Sequence, residues 1–102
     1  MTYNVDRLPK SFTLGRRTET GVEEVRINCY AWLERWPNLR LSLWVTPPSG
    51  APYIAATHMD GTELVFPITD TDTAFTGRGT AEVIGEAQNV RKLSAIVEVN
   101  IL

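Results

Sequence analysis

Three features of the chain predict an all-β fold, an antiparallel β-sandwich of about seven to eight strands. Apolar and polar residues alternate with a period of two in several segments, among them Leu39 to Val45 and Ala95 to Ile101, the spacing of a strand with one buried face. Turn formers such as Thr46-Pro47-Pro48-Ser49-Gly50 and Asp60-Gly61 separate those segments at intervals of about 8 to 12 residues, the rhythm of a sandwich. Between Pro52 and Gly79 the chain also reads in order as strand, tight turn, strand, one helical turn and glycine bend.

Residues 1–9 are polar, end at Pro9 and read as a loose lead-in. Lys10 to Arg16 is expected to form the first strand, ahead of a turn around Glu19-Thr20-Gly21. From Val22 to Leu33 the residues alternate, with Val25, Ile27, Cys29 and Ala31 on one face and Arg26, Asn28, Tyr30 and Trp32 on the other. That pattern predicts a long strand with one buried side. Glu34 to Asn38 breaks it, because Pro37 cannot donate to a ladder and Asn38 tolerates turn geometry. In the next strand Leu39, Leu41, Leu43 and Val45 face the core while Arg40, Ser42 and Trp44 face away. These two strands are expected to pair as a hairpin.

Tyr53 to Met59 and Thr62 to Thr69 flank Asp60-Gly61, a pair suited to the positive φ values that a type I′ turn requires at both central positions. Leu64, Phe66 and Ile68 give the second of these strands its apolar face. Asp70 is placed to cap a helical turn over Thr71 to Phe75, and Gly77 and Gly79 to bend the chain into a strand from Thr80 to Ile84. The last strand, Leu93 to Leu102, alternates Ala95, Val97, Val99 and Ile101 against Ser94, Ile96, Glu98 and Asn100. Its apolar end predicts a terminus held in a sheet.

At 102 residues the chain reads as one domain over residues 1–102, able to bury roughly 60 to 70 per cent of its unfolded surface. Cys29 is the single cysteine, so packing and not an intrachain disulfide must supply stability. Ten basic and twelve acidic residues give a formal net charge of −2 with no long run of one sign. Such a balance lacks the footprint of a nucleic-acid or anionic-membrane binder. Eight of the ten basic residues are arginines, whose planar forks suit interfaces better than lysine does. MTYNVDRLPK has no apolar core of a signal peptide and no apolar run approaches a membrane span, which predicts a soluble chain made in the cytoplasm.

Residues with chemical potential are few. His58, Asp60 and Glu63 surround one turn and are donor types that a metal accepts, but no second ligand stands at zinc spacing, which favours a solvated turn. Asp70 and Asp72 resemble a fragment of a calcium loop, and capping of the following turn by Asp70 is the better reading. Cys29 shares the phase of Val25 and Ile27, the place of a small core residue rather than a reactive thiol. Gly77-Arg78-Gly79 is too short to cradle phosphate. The expectation is a protein with no catalytic residues, no metal and no cofactor.

The aromatic residues point to binding. If the expected hairpin sets Trp32 against Arg40, then Asn28 faces Trp44 and Tyr30 is its diagonal neighbour. Trp32, Arg40, Trp44 and Tyr30 then form a partner-binding patch with the composition of an interface centre. The competing reading is that Trp36, Pro47 or Pro48 covers that face. A second functional class is a carbohydrate-binding sandwich, with Trp32, Trp44 and Tyr53 stacking on sugar rings.

Three segments carry a resemblance: LGRRTETGVEEVRINCYAWLERWP (Leu14 to Pro37), PYIAATHMDGTELVFPITDTDTAFTGRGTAEV (Pro52 to Val83) and KLSAIVEVNI (Lys92 to Ile101). Through them the chain resembles the amino-terminal immunoglobulin-like domains of phage tail and baseplate proteins, the group typified by the baseplate upper protein of siphophages. The resemblance implies an immunoglobulin-like sandwich that anchors a tail-side protein to the baseplate or tail tip. It implies other virion tail or baseplate proteins as partners, self-association into a homo-oligomer, and a virion location after synthesis in the host bacterial cytoplasm. In such proteins a coiled coil and a distal domain follow. The expectation here is therefore either an excised domain or a small stand-alone virion protein.

Overall fold

Alternating residues bury one side of each strand, and the chain satisfies them by stacking two sheets face to face. The computed structural model describes Thr2 to Leu102. In chain order the elements are β1 (Thr2–Asn4), β2 (Ser11–Gly15), β3 (Glu24–Asn28), α1 (Tyr30–Arg35), β4 (Arg40–Thr46), β5 (Tyr53–Ile54), β6 (His58–Asp60), β7 (Glu63–Pro67), β8 (Gly77–Ala87), β9 (Val90–Leu93) and β10 (Val97–Ile101). One sheet has the order β1-β3-β7-β6; the other runs β2-β10-β8-β4-β5, with β9 paired to β8 beyond β10. The protein is an all-β sandwich, with more strands than the turn spacing predicts because several edge strands are only two to four residues long.

Pairing is antiparallel except at two places, β1 on β3 and β2 on β10. Both parallel pairs join strands with no hairpin between them, so no tight turn dictates their relative direction. The lead-in is therefore structured. Tyr3 packs its ring 5.0 Å from that of Phe12, and Val5 is buried with its N–H donating to the Asn28 carbonyl at 3.0 Å.

The core lies between the sheets and takes in the predicted inward positions Ile27, Leu43, Val45, Leu64, Phe66, Val97 and Val99, joined by Leu14 of β2 and Val83 of β8. Cys29 is among them. Its Sγ–H donates to the Ile27 carbonyl at 3.6 Å, and desolvation pushes its thiol up to about 12, which keeps it protonated.

Four local expectations are corrected. The strand predicted over Val22 to Leu33 stops at Asn28, whose Oδ1 accepts the Tyr30 N–H at 2.9 Å; the following Tyr30 to Arg35 segment, rich in helix formers, coils into α1 and carries the chain across to the other sheet. As a result β3 pairs with β7 and β4 with β8, and the predicted β3–β4 hairpin does not form. In the β6–β7 hairpin Asp60 is paired with Glu63, so the turn residues are Gly61 and Thr62. Only Gly61 has positive φ, at +62°, as in a type II′ turn with glycine first.

The third correction concerns the turn after β7, where the working carboxylate is Asp72 rather than Asp70. Asp72 Oδ2 accepts both the N–H and the hydroxyl of Thr69 at 2.9 Å, and its Oδ1 accepts the Tyr53 hydroxyl at 2.6 Å. Burial, and then this bond to Asp72, push the Tyr53 phenol above its usual range. Finally, Gly77 and Gly79 lie within β8 and do not bend the chain ahead of it. A Cβ on Gly79 would overlap the Thr46 carbonyl oxygen, whereas one on Gly85 would stand 2.5 Å from the movable Leu39 Cδ2.

Two stability predictions follow from these contacts. Tyr53→Phe strands one oxygen of a buried carboxylate and should cost about 1–3 kcal/mol in chemical denaturation, whereas Asp70→Asn, on an exposed side chain, should stay within about 0.5 kcal/mol of wild type. Gly79→Ala must displace backbone and Gly85→Ala the buried Leu39 side chain, so the first should lower the melting temperature more. The overpacking cost at Gly79 is expected to reach about 3 kcal/mol or more.

Candidate interaction surface

Pairing register arranges the outer face of the six-stranded sheet in rows. Arg40, Glu86 and Arg91 form one row across β4, β8 and β9; Ser42, Ile84 and Leu93 form the next; Ile54, Trp44 and Glu82 form a third across β5, β4 and β8. The registers of β9 and β10 on β8 differ by one residue, and Ile96, just ahead of the Val97–Ala81 pair, falls in line with Glu82. Trp44 (40 % exposed), Ile54, Leu93 and Ile96 all present large apolar surface. Ile84, in their midst, is only 3 % exposed although it lies outside the inter-sheet core. The far end of the same face is polar and self-paired, with Arg78 Nε 3.3 Å from Glu98 Oε1.

Of the four residues expected to form a patch, Arg40 and Trp44 stand on this face, two rows apart on β4. Trp32 does not: α1 turns it inward to 3 % exposure, where its indole Nε1–H donates to Asp6 Oδ1 at 3.0 Å. Tyr30 is exposed, but at the start of α1. The patch predicted from a β3–β4 hairpin is therefore not assembled. Trp36 lines a cleft of about 650 Å³ together with Arg40 and Glu86, at the charged end of this face, with the Arg35 guanidinium 4.8 Å over its ring. Sequence reasoning missed Ile54, Ile84 and Leu93 as neighbours of Trp44. Consecutive Val83-Ile84 was the available signal, because a strand apolar on both faces needs cover on both.

The outer face of the four-stranded sheet is closed by charge. Arg26 on β3 sets its Nε 2.8 Å from Glu24 Oε2 and its Nη1 2.8 Å from Asp60 Oδ2 and 3.1 Å from Glu63 Oε1. The two carboxylates weighed as metal donors are thus held by a guanidinium, and His58 stands exposed on the edge strand opposite Val65. Among the described residues no group of three or more His, Cys, Asp or Glu is placed to hold a metal ion. The hydrogen bond and charge of Arg26 hold the Asp60 carboxyl below its usual range, and the same bonds raise the guanidinium. Val65, between Arg26 and His58 in its row, is fully buried.

Neither a scan against protein-family models nor a search of curated proteins finds a match to this chain.

Because the folded state depresses the Asp60 carboxyl, its stabilising contribution is complete above the ordinary aspartate value of about 3.9 and fades as pH falls through the lower folded value. Arg26→Gln should therefore lower the melting temperature near neutral pH and converge with wild type in thermal melts near pH ~2. An equal gap at both pH values would show that the ion pairs contribute nothing.

Proposed function

We propose that this chain is a noncatalytic structural module of a phage or prophage tail or baseplate, which attaches or assembles by docking the outer face of its six-stranded sheet onto protein. The observation that carries the docking is the exposed strip of Trp44, Ile54, Leu93 and Ile96 beside Arg40. A sandwich needs apolar residues on its inner faces alone, so a strip of large apolar side chains on an outer face serves contact rather than folding. Tryptophan and arginine are the residue types that concentrate binding energy at interfaces. The tail assignment rests on the resemblance carried by Leu14 to Pro37, Pro52 to Val83 and Lys92 to Ile101.

The remaining chemistry supports a noncatalytic reading. The Cys29 thiol is buried and protonated, and Asp60 and Glu63 are engaged by Arg26. The carbohydrate reading loses two of its three rings, since Trp32 is inside and the Tyr53 hydroxyl is bound to Asp72.

Co-expression with the products of the neighbouring reading frames tests this reading. A tail or baseplate product should co-purify with the chain. Trp44→Asp should weaken the protein contact made through this face, to that product or to another copy of the chain, about thirtyfold or more, the loss of a hot spot worth ~2 kcal/mol, while the melting temperature holds. Neighbours of purely metabolic type, protein contacts that are all indifferent to Trp44→Asp, self-association included, or a tryptophan fluorescence shift on titration with cell-wall saccharide would each count against it.

A further inference from the structure

Charges on the outer face of the six-stranded sheet sit at fixed positions, and those positions limit what can cover it. Arg40 and Glu86 are register partners on β4 and β8, yet neither belongs to an ion pair among the described residues, and neither does Glu82. The Trp44 indole N–H also has no acceptor among the described residues. Building on the docking reading above, we infer that the occupant of this face is a second copy of the chain, related by a two-fold axis parallel to the strands in the seam between β4 and β8.

That operation lays each β4 residue over the β8 residue of its own row in the other copy. Arg40 meets Glu86 of the second copy, and Trp44 meets Glu82, whose carboxylate accepts the indole N–H. One strand further out, Ile54 of β5 meets Ile96. Each contact occurs twice, as a two-fold interface demands. The charged row then closes one end of a buried apolar strip with two reciprocal Arg–Glu pairs, geometry that guanidinium forks favour.

Three other two-fold axes in the plane of the face fail on charge or cover. An axis along β8 sets Glu86 on Glu86, Glu82 on Glu82 and Arg40 on Arg91. One running across the strands through Ile84 sets Glu86 on Glu82. Like charges directly opposed across an interface are repulsive. An axis between β8 and β9 pairs Glu86 with Arg91, but it leaves Trp44 and Ile54 in water and presses Glu82 against Ile96.

Light scattering on the eluting chain reads the mass in solution. Wild type should run at twice the mass of one chain. Arg40→Glu and Glu86→Arg should each weaken self-association about a hundredfold or more, because each places like charges at both symmetric contacts. Mixing the two variants should restore the dimer, one copy of each, since reversed charges then meet their opposites twice. Arg91→Glu should leave the mass unchanged.

A cross-link reads the same geometry without depending on charge. The double variant Ile54→Cys with Ile96→Cys should form a disulfide-linked dimer on oxidation, and neither single variant should, because Cys29 is buried and protonated. A wild-type chain that stays monomeric while still binding a neighbouring gene product through Trp44 would overturn this inference and leave the docking reading standing. A dimer that survives both charge reversals and Trp44→Asp would overturn the inference and count against the docking reading as well. A mixture that stays monomeric while both variants keep the wild-type melting transition would overturn the inference alone.

Discussion

Asp72 is a carboxylate taken almost wholly out of water, and the place where the chain passes from β7 in one sheet to β8 in the other is built around it. A buried charge is tolerable only when donors replace its hydration. Asp72 has three: the N–H and hydroxyl of Thr69 and the hydroxyl of Tyr53. Those donors fix both the turn and β5. The next residue, Thr73, donates its hydroxyl to the Glu19 carbonyl at 2.8 Å and accepts the Thr18 N–H at 2.9 Å, so the same turn also anchors the loop between β2 and β3. Removing one donor leaves the carboxylate under-solvated in place, and several segments must move before water can reach it.

The crossing at the other end of the sandwich follows the same logic with a different pair. The chain leaves β3, turns through α1 and enters β4 in the opposite sheet, while the Val5 to Lys10 segment makes its own passage from β1 to β2. The Trp32 indole donating to Asp6 ties these two passages together. Inner-face residues thus set how far apart the sheets lie, and Asp72 at one end and Asp6 at the other hold the chain where it changes sheets there. Of the two, only the first is written in hydrophobic periodicity.

That division explains what could be read in advance. β4 and β10 were legible because Leu39 to Val45 and Val97 to Ile101 each bury one face, and a period of two then has a single interpretation; β7 was legible through Leu64, Phe66 and Ile68, although Val65 between them is buried on the outer face as well. Tyr30-Ala31-Trp32-Leu33 was not, since over so few residues an alternating pattern also suits one face of a helical turn. Misreading it as strand created the false β3–β4 hairpin, and with it a patch containing Trp32 and Tyr30. Arg40 and Trp44 were found because they lie in a correctly phased strand. Ile54, Ile84 and Leu93 were not, because their adjacency to Trp44 exists only in the register of β5, β8 and β9. Gly79 was taken for a bend when its role is to let the Thr46 carbonyl approach, a contact between residues far apart in sequence.

The two outer faces meet the same difficulty in opposite ways. Each has one apolar side chain buried outside the inter-sheet core, Val65 on the smaller sheet and Ile84 on the larger. Around Val65 the charges are paired within the chain: Arg26 holds Glu24, Asp60 and Glu63 in a closed cluster. Around Ile84 the flanking apolar side chains stay exposed, and Arg40, Glu82 and Glu86 make no ion pair among the described residues. The chain has the means to seal an outer face and uses them on one side only. A face left apolar at its centre, with charges of both signs unengaged around it, meets the demands of an interface core and rim, whereas the Arg26 face, its charges already paired, offers a partner little to gain. The asymmetry between Val65 and Ile84 is therefore the physical ground for the proposal that association uses the six-stranded sheet.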